Sequence, residues 1–94
     1  MKKAANNYKS QIKVLQGLSH PVRFTILATL AKGEMSVGQL VDELDSSQSA
    51  VSQHLSKMKD AGIVKSHKES NFVYYSLKNP KYKELISLIG KLEV

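Results

Sequence analysis

Residues 47–59 read SQSAVSQHLSKMK, and their pattern decides the fold. At 100° per residue, Val51, Leu55 and Met58 fall within about 60° of one another, a narrow apolar stripe that must pack against a core. The other side carries Ser49, Ser52, Gln53 and Ser56. Solvent-facing helices ordinarily place Glu and Lys there in pairs, whereas short hydroxyls and amides are groups that read base edges without bulk. Ser47 supplies the start, because its hydroxyl accepts from a free amide of the first turn.

Just upstream, Ser36 to Leu44 (SVGQLVDEL) forms a second short amphipathic helix. Ser36 and Gln39 make a capping box, and Val37, Leu40, Val41 and Leu44 form the buried side. Only Asp45 and Ser46 separate Leu44 from the Ser47 cap. Two short helices joined by so tight a turn, over 36–59, predict a helix-turn-helix whose second helix enters the DNA major groove. An ordinary helical hairpin of a small core is the alternative that this stretch leaves open.

The flanks extend the pattern. Tyr8, Ile12, Leu15 and Leu18, with Val14 beside them, predict a first amphipathic helix after a basic tail over residues 1–7. Ser19-His20-Pro21 breaks that helix and starts the next, with His20 at the cap and Val22, Ile26, Leu27 and Leu30 turned inward. Downstream, Gly62 ends the 47–59 helix in a left-handed cap. The period then changes from 3.6 to 2. Ile63–Lys68 and Phe72–Leu77 predict a β-hairpin over 63–77 around Glu69-Ser70-Asn71, a turn in which Asn71 tolerates positive φ. Such a hairpin is either a wing lying along DNA or a lid on the core. Asn79-Pro80 starts a last helix over 80–92. Its Leu85, Ile86, Leu88, Ile89 and Leu92 form a face too broad for so short a chain to hide. That face meets a second copy through a two-fold axis, or packs on the first helix within one chain.

Composition bounds the partners. The 94 residues allow one domain, and 14 Lys and Arg against 8 Asp and Glu give a net charge of +6, which favours polyanions. With no cysteine there are no disulfides, thiolate metal sites or thiol sensors. No apolar run approaches the length of a membrane span, and Met1-Lys2-Lys3 leads into no apolar core, so a cytoplasmic protein is expected. Three scattered histidines, no nucleophile beside a base and no Gly-rich phosphate loop argue against an enzyme, and no cofactor is expected.

Taken in order, LSHPVRFTIL, SSQSAVSQHLSKMKDAGIV and VYYSL, with the element order ααααββα, resemble the arsenic-repressor (ArsR/SmtB) family of winged helix-turn-helix regulators over roughly residues 12 to 92. The resemblance implies a mainly α fold with a β-hairpin wing. It implies a homodimer through the first and last helices, double-stranded DNA with a palindromic operator as partner, and release by an effector. It places Ser47, Gln48, Ser49, Ser52, Gln53, His54, Ser56, Lys57 and Lys59 of the helix, and Lys65, Lys68 and Asn71 of the wing, in or beside the DNA. Where the family carries its cysteine motif this chain has Ser36 and Gly38, and the last helix lacks the family's Asp and His pairs. No metal site is therefore expected, and His20, His54 and His67 lie on a helix start, the second helix of the helix-turn-helix and the wing, a placement that does not suit a site made from all three. The expected function is a sequence-specific repressor acting by promoter occlusion, switched by an unidentified effector or partner protein. The alternative is a winged helix used as a protein-interaction module.

Overall fold

A computed structural model describes residues 7–92. Its elements run α1 (Lys9–Leu18), α2 (Pro21–Leu30), β1 (Met35–Ser36), α3 (Val37–Leu44), α4 (Gln48–Asp60), β2 (Val64–Glu69), β3 (Phe72–Leu77) and α5 (Lys81–Gly90). The three strands form one antiparallel sheet in the order β1-β3-β2. This is a winged helix-turn-helix.

Local chemistry sets each boundary. His20 Nδ1 accepts from the Val22 amide at 3.1 Å, capping α2 ahead of its Pro21. Ser36 Oγ accepts from the Gln39 amide at 3.2 Å while Gln39 Oε1 accepts from the Ser36 amide at 2.9 Å, a reciprocal box that opens α3. Asp45 ends α3 in the left-handed conformation at φ 51, and two residues later Ser47 Oγ accepts from the Ala50 amide at 3.1 Å to open α4. At the other end, the Gly62 amide donates to Lys59 O and the Ile63 amide to Met58 O, at 3.0 and 2.9 Å. With Gly62 at φ 79, these bonds form a Schellman motif that turns Ile63 into the core.

The core is Leu18 of α1, Ile26, Leu27 and Leu30 of α2, Leu40 of α3, Val51, Leu55 and Met58 of α4, then Ile63 and Val64. All of the α4 stripe is fully buried. In α3 only Leu40 is; Val37, Val41 and Leu44 are half-buried at its edge. Thr29 is buried beside them, and its hydroxyl is satisfied by donating to Thr25 O at 2.7 Å.

Several expectations need correction. Met35, unassigned by the sequence pattern, and Ser36, expected only as the cap of α3, pair with Tyr75 and Tyr74 as a short third strand. Two residues are too few for a period to show. The hairpin loop is only Ser70 and Asn71, since Glu69 pairs with Phe72, and Ser70, not Asn71, takes the positive φ, at 56. The loop needs a left-handed residue at its first position, whichever side chain stands there. Strand β2 spans 64–69, because Ile63 is spent on the helix cap. Helix α5 spans 81–90, shorter than expected; Pro80 stands at its N-cap, while Asn79 Oδ1 accepts from the Lys81 amide at 2.9 Å and does the capping. The packing neighbour of α5 is α2, not α1. The expected tail, Asn7 apart, lies outside the described residues.

Candidate nucleic-acid interface

Burying Val51, Leu55 and Met58 fixes the rotation of α4 about its axis and so fixes what it shows to solvent. Ser49, Ser52, Gln53 and Ser56 are all exposed along one face, with Gln48 at its leading end. A cap at one end and a Schellman turn at the other hold the helix rigid, so these donors and acceptors keep fixed positions. An α-helix of this kind fits the major groove, about 12 Å wide, where hydroxyls and a carboxamide contact base edges.

The wing stands on one flank of α4. Lys59 Nζ donates to Ser66 Oγ at 2.8 Å, tying helix to hairpin. Because strand side chains alternate, Ser66 and Lys68 share the face turned to α4, whereas Lys65 points to the other face with His67 and Glu69. The two wing lysines that the sequence groups together are thus separated. Lys68 is on the helix side; Lys65 lines a depression with Glu34, Lys78 and Lys83. On that outer face His67 lies 3.4 Å from Glu34 and 3.7 Å from Glu69, and its ring stacks on Tyr74. At the wing tip Asn71 comes beside Gln48 and the start of α3, lining one shallow cleft with Phe72 and Val73.

The opposite flank of α4 holds a contact that the sequence reading missed. His54 is half-buried, its ring centroid 4.4 Å from that of His20 and its Nδ1 3.5 Å from Arg23 Nη1. Arg23 in turn donates through Nε to Gly17 O at 2.8 Å and through Nη2 to Gln16 O at 3.3 Å, satisfying carbonyls at the end of α1. Burial first, then the charges of His20, Arg23 and Lys57, hold the His54 pKa below the ordinary histidine value. His20 and His54 do meet, therefore, while His67 belongs to the far side of the sheet. Among the described residues no three His, Cys, Asp or Glu come together in a way that could hold a metal ion. The available signal was Arg23, one turn past the His20 cap, whose reach back to α1 no periodicity reveals.

The expected dimer residues divide in two. Leu85 and Ile86 are half-buried against the core, whereas Leu88 and Leu92 of the C-terminal segment are 62% and 71% exposed and Leu15 of α1 is 62% exposed. Ile12 and Ile89 are also exposed. No described residue of α5 is fully buried.

Comparisons with known proteins agree with this geometry. The family described as "Bacterial regulatory protein, arsR family" matches residues 20–66. The transcriptional activator HlyU of Vibrio cholerae is 36% identical over 86 residues, covering 92% of this chain and 80% of that one. The structure of reduced HlyU superposes with a TM-score of 0.85 over 97% of this chain and 96% of that chain. The transcriptional repressor PagR of Bacillus anthracis is 34% identical over 82 residues, 86% of this chain and 82% of its own. The homodimeric winged helix-turn-helix domain of Mb0332 from Mycobacterium bovis shares the fold, with a TM-score of 0.85 over 96% of this chain and 83% of that one at 23% identity. With its capped helix-turn-helix, its β-hairpin wing and these relatives, the chain belongs to the arsR family of bacterial regulatory proteins and is a DNA-binding transcriptional regulator, not an enzyme.

Proposed function

We propose that this regulator is a homodimeric repressor that occupies a palindromic operator and excludes transcription by its presence. The observation that carries the reading is α4, whose apolar stripe is fully buried and whose exposed face is small and polar throughout. Ser49, Ser52, Gln53 and Ser56 supply sequence preference from the major groove. Ser47 and Gln48 at the helix start and Asn71 on the wing tip adjoin the same surface. Lys57 and Lys68 supply phosphate contacts that carry affinity without sequence information. His54 sits too near the core to reach a base and acts at the edge of the groove. Lys59 supports the wing, and Lys65, on the outer wing face, contributes charge at longer range.

Two-fold pairing follows from α1 and α5, whose exposed Ile12, Leu15, Leu88, Ile89 and Leu92 await an apolar partner, with Leu85 and Ile86 anchoring α5 behind them. The family likeness and the homodimeric Mb0332 domain support a second copy as that partner. Repression is favoured by PagR and by a mechanism that needs only occupancy. DNA as target places the protein in the cytoplasm, and among the described residues no helix is long and apolar enough to cross a membrane. With Ser36 and Gly38 at the family's cysteine positions, the switch is neither a soft metal nor a thiol but an effector or partner of other chemistry.

The test is binding of the purified protein to its own upstream DNA and to a random duplex, across a salt series with a chelator present throughout. We expect tighter binding to the upstream DNA, unaffected by chelator and falling steeply with salt. Equal weak binding to both duplexes, or loss of binding on chelation, contradicts the proposal.

A further inference from the structure

Helix α4 has two flanks, and the structure furnishes both with positive charge. On one stands the wing with Lys59 and Lys68. On the other, Lys13 and Gln16 of α1, Gly17, Arg23 of α2, and Lys57, Asp60 and Ala61 at the end of α4 line an open groove of about 250 Å³. Three cations from three different helices, with one carboxylate, converge there. On the helical wheel Lys57 lies roughly 80° round from Ser49, between the exposed face and His54, while Lys59 lies on the other side toward the wing. Lys57 is one turn beyond Gln53, so the groove runs directly beside the face that meets the bases.

A helix seated in the major groove has one phosphate backbone on each side of it. We infer that the groove formed by Lys13, Arg23 and Lys57 is a second seat for a DNA backbone phosphate, on the strand opposite the one that the wing approaches. The inference rests on the DNA-binding reading of α4 and adds α1 and α2 to the surface that touches DNA. Lys13 is exposed, and no carboxylate lies within ion-pair distance of Lys13, Arg23 or Lys57 among the described residues. Arg23 is partly committed to Gly17 O and Gln16 O, which fixes its guanidinium plane at the mouth of the groove instead of leaving it to wander. His54, beside Arg23 at the edge of this surface, faces His20, Arg23 and Lys57; burial first, and then these charges, disfavour its protonated form.

A phosphate seat is indifferent to sequence, so a random duplex suffices and the operator need not be identified. The experiment measures the dependence of affinity on salt for the full chain and for Lys13→Ala, Lys13→Arg and, as a control on charge alone, Lys32→Ala, a lysine at the far end of α2 outside the groove. Each lost phosphate contact reduces the slope of log affinity against log salt by about 0.9, and twice that for a dimer with two seats. We expect that reduction for Lys13→Ala, with equal loss on upstream and random DNA, recovery in Lys13→Arg, and a smaller change for Lys32→Ala. Sedimentation of each variant verifies that dimer mass is kept. Wild-type binding with a slope that Lys13→Ala leaves unchanged, or that Lys32→Ala lowers as much, overturns the seat and leaves the DNA reading standing. A wild-type chain that binds neither duplex even at low salt overturns both.

Discussion

At the scale of single residues, the surroundings of His54 on α4 make stability depend on pH. It is half-buried between His20 and Arg23, and its pKa is depressed from 6.5 by burial and by the charges of His20, Arg23 and Lys57. The unfolded chain, where the imidazole titrates near the ordinary value, therefore binds a proton more readily than the folded one. The stabilising contribution is fully present above about pH 6.5 and is lost as pH falls through the depressed folded value. Urea midpoints at pH 7.5 and 5.5 check this. The wild type is expected to lose more stability on acidification than His54→Gln, and parallel losses would show that the ring is indifferent to its neighbours.

Among elements, α1 approaches the end of α4 closely at Gly17. A Cβ placed on Gly17 would stand 2.7 Å from Ile63 Cδ1 and 2.9 Å from Ala61 Cβ. Ile63 is fully buried in the Schellman turn, and Ala61 is the cap residue itself, so neither yields easily. Gly17→Ala gains up to about 1 kcal/mol of helix propensity but incurs overpacking of about 1 to 3 kcal/mol. We expect a net loss of about 1 kcal/mol by denaturant titration. Gly38 of α3 is the contrast: the nearest atom to its added Cβ is Ser36 Oγ at 3.9 Å, and Gly38→Ala should be neutral or slightly stabilising. Destabilisation of both alike would mean that helix geometry, not close approach, keeps Gly17 small.

For the whole molecule, the decisive feature is a protomer that does not finish its own burial. It is elongated, 47 × 28 × 23 Å with a radius of gyration of 14.1 Å, against about 12 Å for a compact chain of this length. Helix α5 has no fully buried residue: Tyr82, Leu85 and Ile86 are only half-buried against the core, and Leu88, Ile89 and Leu92 stand exposed beyond them. Leu88→Glu puts a charge into the proposed two-fold contact while disturbing little in the protomer, since Leu88 is already exposed. We expect dimer dissociation to rise by about 3 kcal/mol or more, roughly 100-fold, with helical content unchanged. Phe72→Glu, an equally exposed site on the wing, should leave sedimentation unaltered. A Leu88→Glu dimer as tight as wild type would remove α5 from the interface.

Much of this was legible in the sequence because it depends on neighbours along the chain. The Ser36–Gln39 box, the Ser47 cap, the Gly62 turn and the Val51–Leu55–Met58 stripe are local bonds and periods, and each was placed from residue type and spacing. They determined the helix-turn-helix and, with it, the polar face of α4. Tertiary structure decided what depends on residues far apart. It paired Met35 with Tyr75, split Lys65 from Lys68 across a sheet, set α5 against α2, and brought Arg23 to His54 and to the end of α1. Periodicity states which side of an element is apolar; only packing states which element, at what angle, that side meets.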